Sequence, residues 1–379
     1  MSLPATVVSF DLDGFENREC QSYNFILLLY TQFIVFSKFA ERNRKMNVKK
    51  LLIIRFSSIG DMVLTTPAIR CLKKQKPEIE IHYLTKKVFN PVIEANPYID
   101  KIHLLDNSLR SVIEDLKSEN FDFIVDLHRN IRSRIVISRL QKPSAAFPKL
   151  NAYKWLLVNT KINLLPDIHI VHRYLKALQK LRIRYDGQGL DYVIPEKDRL
   201  DLSQILPDDF QNGYMLVVVG GKHNTKQIPE HKLVDICNQA KYPVVIAGGD
   251  EDRYMADEIS KKLEVPGYNA CGKYSINGSA YLVQQSAVVL TPDTGLMHIA
   301  AAFHKPLVTM WGNTVPDFGM YPFLPDEKQD SYRILEIKDL NCRPCSKIGF
   351  ERCPKGHFRC MNDIPVEDAL QAIREVTGR

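Results

Sequence analysis

The sequence predicts an α/β protein built from two doubly wound domains, and three observations carry that expectation. Short apolar runs alternate with stretches of helical periodicity from Lys49 to about residue 128. The alternation loosens between about Pro143 and Pro207, then restarts near residue 213. At 379 residues, 45% hydrophobic and 25% charged, the chain is also long enough to bury two cores rather than one. Such alternation implies parallel strands with helices on both faces, because a crossover between parallel strands needs a dozen or more residues.

In order, "LLIIRF" reads as a strand and "MVLTTPAIRCLKKQ" as a helix, its apolar residues spaced three and four apart. "IEIHYLT" is a strand, "NPVIEANP" a short helix, "KIHLLD" a strand, "SLRSVIEDLKSEN" a helix and "FDFIVDLH" a fully buried strand. "PKLNAYKWLLVNTKINLLP" and "HRYLKALQKLRIRYDGQG" read as helices around a connecting region. The second series runs "GYMLVVVGG" strand, "PEHKLVDICNQA" helix, "YPVVIAGGD" strand, "EDRYMADEISKKL" helix, "SAVVLTP" strand, "GLMHIAAAFH" helix and "KPLVTMWG" strand. "PVEDALQAIREVTG" closes the chain as a helix with proline at its start and glycine at its end. The expected division is an N-terminal extension over 1–45, a first domain over 46–195 and a second over 196–379. No short-period repeat points to a solenoid.

The first 45 residues read differently. "FILLLYTQFIVFSKFA", Phe25 to Ala40, is the most apolar segment, but its core is short for a span and carries Thr31 and Gln32. It has neither a small-residue cleavage site nor a basic region ahead of it, which makes it a poor signal peptide. Met46 then opens a chain that reads well by itself. The expectation is an extension outside the main fold, with an amphipathic membrane-contact helix as the alternative. "VVSFDLDG" resembles the first motif of haloacid-dehalogenase phosphatases, but Phe15 stands where threonine is expected and no matching helical pattern follows.

A net charge of +7 favours acidic partners: phosphorylated sugars, anionic lipid surfaces or nucleic acid. Nucleic acid is disfavoured, since no aromatic-basic stacking surface or known module is visible. Of eight cysteines, four are scattered, which suits a reducing cytoplasm rather than a disulfide scaffold.

In open parallel sheets, ligands bind beyond the carboxyl ends of the strands. "RFSSIGD" follows the first strand, and Asp61 there is either a reactive carboxylate or a helix cap. The loop has neither a Walker ending nor a three-glycine dinucleotide fingerprint. "TPDTGLMHIAAA" places Asp293, Thr294 and Gly295 at the start of a helix, a ready anion site, with Asp293 suited to sugar hydroxyls and His298 one turn in. "GGKHNTKQIP" offers Lys222, His223, Asn224, Thr225 and Lys226 at a strand end, which suits a diphosphate. In "AGGDEDR", Asp250, Glu251 or Asp252 could take ribose hydroxyls or simply start a helix. "VDLHRNIRS" presents Asp126, His128, Arg129 and Arg132, whose arginines could grip an anionic acceptor or be surface charge.

"LLIIRFSSIGDMVLTTPAIRCLKK", "VDLHRNIRS", "TKQIP" and "TPDTGLMHIAAAFHKPLVTMWG", in that order, resemble glycosyltransferase family 9, the lipopolysaccharide heptosyltransferases. The resemblance spans about Val48 to the C-terminal region. It implies the GT-B arrangement: two facing doubly wound, Rossmann-like domains with the active site in a central cleft. It implies inverting, metal-independent transfer of a heptose-like sugar from a nucleotide diphosphate, ADP-heptose in the best-known members, to a lipid-linked anionic saccharide. No cofactor is then needed, the nucleotide sugar being a substrate. Asp61 matches the proposed general base; Ser58, Gly60, His128, Arg129 and Arg132 fall on the acceptor side. Thr225, Lys226, Glu251, Asp293, Thr294, Gly295, Leu296 and His298 fall on the donor side. A carboxylate base would work best if burial on domain closure raised its pKa. The sequence departs from the best-known members at Gln227 and Ile228, where a tryptophan-proline pair commonly follows the lysine.

"CRPCSKIGFERCPKGHFRC" places Cys342, Cys345, Cys353, His357 and Cys360 in one loop. These ligand numbers could close a structural zinc, while free thiols or a disulfide remain open. A nucleotide-sugar epimerase of the same architecture, or a binding protein without turnover, are the competing functions; Asp61 and the arginines after "VDLH" favour transfer. The basic balance and a lipid-linked acceptor suggest a cytoplasmic enzyme working at the inner face of the membrane.

Overall fold

The computed structural model describes residues 47–378, which fold as one compact unit. The apolar segment 25–40 and "VVSFDLDG" lie outside the described residues.

The first sheet is formed by β1 (Lys50–Ile54), β2 (Glu80–Lys86), β3 (Lys101–Leu105), β4 (Phe123–Asp126) and β5 (Ser144–Ala146). All pairs are parallel, in the order β3-β2-β1-β4-β5. Helices α1 (Ile59–Val63), α2 (Thr66–Gln75), α3 (Leu109–Ser118) and α4 (Ile131–Leu140) belong to its crossovers. The connecting stretch carries α5 (Asn151–Thr160), α6 (Ile170–Ala177) and the single turn α7 (Leu202–Ile205).

The second sheet comprises β6 (Met215–Val218), β7 (Val244–Ala247), β8 (Gly267–Asn269), β9 (Val288–Pro292), β10 (Leu307–Trp311) and β11 (Tyr332–Glu336). It too is wholly parallel, in the order β11-β10-β9-β6-β7-β8. Its helices are α8 (Glu230–Ala240), α9 (Arg253–Lys262), α10 (Ile276–Gln285), α11 (Gly295–Ala302), α12 (Arg359–Asn362) and α13 (Val366–Thr377). Strands β4, β6, β7, β9 and β10 are buried along their whole length, and β1 from Leu51 onward, as strands covered on both faces must be.

The expected helix over 62–75 is two helices. Thr65 and Thr66 turn their hydroxyls back onto the carbonyls of Met62 and Val63, and Pro67 follows in the first turn of α2, so the chain breaks between them. The short helix expected at "NPVIEANP" is met only by the end of a 3-10 element, Lys87–Val92, with Pro91 inside it. Sequence periodicity misses α4 and α10, together with the three edge strands β5, β8 and β11. "SAA" and "GYN" are three-residue edges with no apolar run, and β11 is only half-buried along its length.

Each sheet reverses its strand order once, between β1 and β4 and between β6 and β9. Those two crevices are where ligands bind in this architecture. Helix α1, leaving β1, packs against α11, leaving β9, and so brings the two crevices face to face.

Candidate active site

On the first sheet, Asp61 stands in the first turn of α1 with its side chain 22% exposed. Its Oδ2 accepts from the Ser58 hydroxyl at 2.9 Å and the Ser58 N–H at 3.3 Å, and meets Arg55 Nη2 at 2.6 Å. Arg55 is buried at the end of β1 and is spent on fixing this corner. Its Nε donates to the Ser57 carbonyl at 2.7 Å, and its Nη1 donates to the Leu127 carbonyl at 2.5 Å and to the Tyr174 hydroxyl at 3.0 Å. Burial pushes the Asp61 carboxyl up, but Arg55 and the Ser58 donors outweigh it and hold it below the usual carboxylate range. The expectation of a raised pKa is therefore corrected: the same corner that desolvates the acid also seats it on the Arg55 guanidinium.

Beyond β4, Asp126 serves structure. It accepts from the His128 and Arg129 N–H groups at 2.9 and 2.7 Å and from the Ser133 hydroxyl at 2.7 Å, which pins the turn into α4. Arg129 takes a positive φ of 53° there, and its side chain donates to the Phe147 carbonyl at 3.1 Å. An open pocket of about 410 Å³ follows, lined by Arg129, Asn130, Ile131, Arg132, Arg134 and Lys149 at the start of α4. His128 sits edge-on to Phe56, pushed down to about 4 by burial and then by Arg55, with its Nδ1 unpaired. Lys154 on α5 lies over the Phe318 ring; burial and Arg173 lower it to about 7, while Asp61 pulls the other way.

On the second sheet, Lys226 Nζ pairs with Asp293 Oδ2 at 2.5 Å, and that same oxygen accepts from the Thr314 hydroxyl at 3.1 Å. Thr294 caps α11 with its hydroxyl, accepting from the Met297 N–H at 3.4 Å. Gly221, ending the β6 loop, lies beside Thr294: a Cβ there would meet the Thr294 methyl at 3.8 Å. His298 is 2% exposed; burial pushes it down to about 4 against the pull of Asp293 and Asp61, and its Nδ1 has no partner. Leu296 is partly exposed on the first turn of the same helix.

Where the two sides touch, a Cβ on Gly60 would lie 2.5 Å from His298 Cδ2, and one on Gly295 would lie 2.9 Å from the Ile59 side chain. Asp61, His298, Asp293 and Lys226 thereby form one continuous polar seam. Ser58 and Gly60 belong to it, Ser58 exposed and Gly60 buried.

One expected donor residue has its hydroxyl engaged within the protein. Thr225 is 3% exposed and exchanges hydrogen bonds with the Phe350 backbone, its hydroxyl donating at 2.9 Å and accepting at 2.8 Å, so its side chain is a loop anchor. Of the acids after β7, Asp252 is buried and accepts from the Gly249 N–H at 2.8 Å, packing between Gly220 and Gly248, whereas Glu251 is exposed. Asp250 is ion-paired with Arg253 at 2.7 Å, which leaves Glu251 the acid best placed to meet a ribose. Sequence reasoning missed Arg55, Lys149, Lys154, Arg173 and Thr314. Arg173 is the least legible: it is 1% exposed with Nε and Nη1 unpaired, from a connecting helix far from any motif.

Two wholly parallel doubly wound sheets whose switch points face one another define the GT-B class of glycosyltransferase fold. A family model described as "Glycosyltransferase family 9 (heptosyltransferase)" matches residues 109–349, and the chain belongs to that family. It is 23% identical to lipopolysaccharide heptosyltransferase 1 of Campylobacter coli over 354 residues, covering 87% of this chain and 99% of the relative. It is 25% identical to lipopolysaccharide heptosyltransferase 3 of Escherichia coli K12, covering 67% of this chain and 80% of the relative. Among solved structures it superposes on a family 9 glycosyl transferase of Veillonella parvula with a TM-score of 0.71, at 20% identity over 89% of this chain and 99% of that one. E. coli ADP-heptose lps heptosyltransferase II matches with a TM-score of 0.65, at 19% identity over 86% and 98%. The chain is a glycosyltransferase.

Proposed function

We propose that the enzyme moves a heptose from ADP-heptose to a lipid-linked anionic saccharide of the lipopolysaccharide core, with inversion and without an active-site metal. The observation that carries this reading is the seam itself: a carboxylate at the start of α1 faces the start of α11, beside which Asp293 holds Lys226.

The donor diphosphate lies against the N-terminus of α11 and Lys226, whose ammonium exchanges Asp293 for phosphate oxygens as charge grows on the leaving group. Asp293, released from the lysine, accepts hydroxyls of the sugar. Asp61 takes the proton of the attacking acceptor hydroxyl. A pKa held below the usual carboxylate range favours the ionised form, and the hydroxyl becomes acidic only as its oxygen bonds the anomeric carbon. A fixed negative charge there also stabilises the cationic sugar at the transition state. Acceptor anions meet Arg129, Arg132, Arg134 and Lys149 at the start of α4. No helix among the described residues is long and apolar enough to cross a membrane. A lipid-linked acceptor would then be met by peripheral contact at the inner face, where the surplus positive charge assists.

The deciding experiment compares Asp61→Asn with wild type using ADP-heptose and a core acceptor. Turnover should fall by about 10²- to 10⁴-fold with ADP affinity nearly intact. Unchanged turnover, or release of an epimerised nucleotide sugar without acceptor, overturns the reading.

A further inference from the structure

The stretch 127–166, from just past β4 to just past α5, holds eight lysines and arginines and not one Asp or Glu. The whole chain carries +7, so its entire surplus of positive charge sits here. None of the eight is ion-paired among the described residues, whereas Lys73 and Lys87 on the same domain are held by Asp100 and Asp106. The stretch also exposes Ile131, Ile135, Tyr153, Trp155, Ile162 and Leu164, half of the large apolar side chains exposed among the described residues. Single exposed apolar residues are ordinary on a protein surface; a cluster of them set among unpaired cations is not.

We propose that the outward sides of α4 and α5, with the loop after α5, form a docking surface for an anionic lipid bilayer. The apolar side chains enter the headgroup boundary, and the arginines and lysines around them pair with lipid phosphates.

Helix periodicity sorts α4 into two faces. Ser133, Val136 and Leu140 are buried inward. On the opposite side Ile131 and Ile135, one turn apart, are 76% and 40% exposed, with Arg134 flanking them on one edge and Arg132 and Arg139 on the other. An apolar stripe edged by arginines is the pattern of a helix that lies in a membrane interface. Helix α5 has six apolar residues among its ten and fully buries only Leu157, which packs with Val315 and Phe318. Its outer side carries Trp155, 54% exposed, whose amphipathic ring suits the headgroup level. Ile162 and Leu164 continue the apolar surface on a loop anchored by Lys161, which donates to the Pro344 carbonyl at 2.7 Å.

The two helices begin side by side. Lys149, just ahead of α5, donates to the His128 and Arg129 carbonyls at 3.3 and 3.1 Å. With Ile131, Arg132 and Arg134 it lines the pocket assigned above to the acceptor's anions, so the docking surface adjoins the acceptor's point of entry. The purpose of this contact rests on the lipid-linked acceptor proposed above; the contact itself does not.

Charge and apolar area together select the occupant. A second copy of this chain would bring the same unpaired cations against themselves, and a nucleic acid backbone would leave the apolar stripe in water. A bilayer with anionic headgroups meets both needs, because basic residues near its surface each add attraction while the stripe is withdrawn from water.

The test uses the full chain with vesicles of phosphatidylethanolamine and phosphatidylglycerol, and phosphatidylcholine vesicles as the neutral control. Expected is sedimentation with the anionic vesicles that weakens as salt rises. The two tryptophans are Trp155 and the buried Trp311, so brominated lipid should quench wild-type emission and leave that of Trp155→Phe unchanged. Arg139→Gln with Lys142→Gln should weaken vesicle binding about fivefold for each charge removed. Ile135→Ser with Trp155→Ser should weaken it about tenfold or more. These four side chains are exposed or half-exposed and lie outside the acceptor pocket. Melting temperature and turnover on a delipidated, water-soluble acceptor should therefore stay at wild type, while turnover on a vesicle-embedded acceptor falls. The proposal fails if the wild type ignores anionic vesicles. It fails equally if both double variants bind them as the wild type does, which would put the contact elsewhere, as on the apolar segment 25–40. A chain that binds vesicles through these residues and transfers no sugar to either acceptor would overturn the proposed function and leave the docking surface standing.

Discussion

The imidazole of His298 lies directly over Gly60, with a Cβ at that glycine placed 2.5 Å from His298 Cδ2. The histidine is buried and cannot swing aside, and the Gly295 Cα stands 3.4 Å from the same point. Gly60 is thus required for close approach of two helices, not for its backbone freedom. Gly60→Ala should force α1 and α11 apart and lower kcat/KM by at least about tenfold, roughly 1.4 kcal/mol at the transition state. Steady-state kinetics beside a thermal melt checks this; an alanine variant with wild-type kcat/KM would show that the contact does not matter to transfer.

Arg55 sets the acid strength of Asp61. With the guanidinium gone, burial is opposed only by the Ser58 donors and by His298, and the carboxyl moves upward. Arg55→Met should therefore shift the acid limb of the kcat/KM profile to higher pH than in the wild type. An acid limb that stays in place would separate Asp61 from the rate-determining ionisation.

Lys226 carries the donor's charge. Lys226→Gln removes a charge-assisted contact worth about 1.5–3 kcal/mol, and should weaken ADP binding about 10- to 100-fold by calorimetry. Because the substitution also leaves Asp293 without its ion-pair partner, Asp293→Asn in the same background should recover part of the loss. No recovery would mean that the acid does not repel the diphosphate.

Three histidines predict the pH dependence of stability. His103, His128 and His298 are each pushed down to about 4, burial being the largest cause in every case. Between their unfolded value of about 6.5 and pH 4, the unfolded chain binds protons that the folded chain refuses. Stability should accordingly fall as the pH drops through that window, by up to about 1.4 kcal/mol per pH unit for each histidine fully engaged. Urea melts from pH 7 to pH 4.5 measure the slope, and His298→Gln should flatten it; an unchanged slope would remove His298 from the account.

How much of this was legible in the sequence depends on where each signal lives. Apolar runs such as "LLIIRF" and "VVIAGG" report burial on both faces and therefore disclosed the parallel sheets, though not their strand order. Loops ending at helix starts disclosed Asp61, Asp293 and Lys226. Arg55 was in plain view beside Asp61, but an arginine at a strand end does not say where its guanidinium turns. The pKa of Asp61 went the other way for that reason. Lys154 and Arg173 belong to connecting helices, where only the tertiary fold brings them to the cleft. Thr225 and Asp252 show the converse: polar residues in the right loops, consumed by the loops' own hydrogen bonds.

The basic pocket at the start of α4 provides the last separation, between donor and acceptor. Arg132 is exposed on the first turn, lines the pocket and has no ion-pair partner among the described residues, so removing it costs the fold little. Arg129, by contrast, donates to the Phe147 carbonyl, and its loss would loosen the turn. Arg132→Ala should raise the acceptor KM about tenfold or more while leaving ADP affinity and melting temperature near wild type, whereas Arg129→Ala should raise the acceptor KM and lower the melting temperature as well. The acceptor effect should also shrink as salt rises, since an exposed arginine reaches its anion through screened charge. If Arg132→Ala leaves the acceptor KM unchanged at low salt, the anion is bound elsewhere in the cleft, and Lys154 beside Asp61 becomes the cation to replace next.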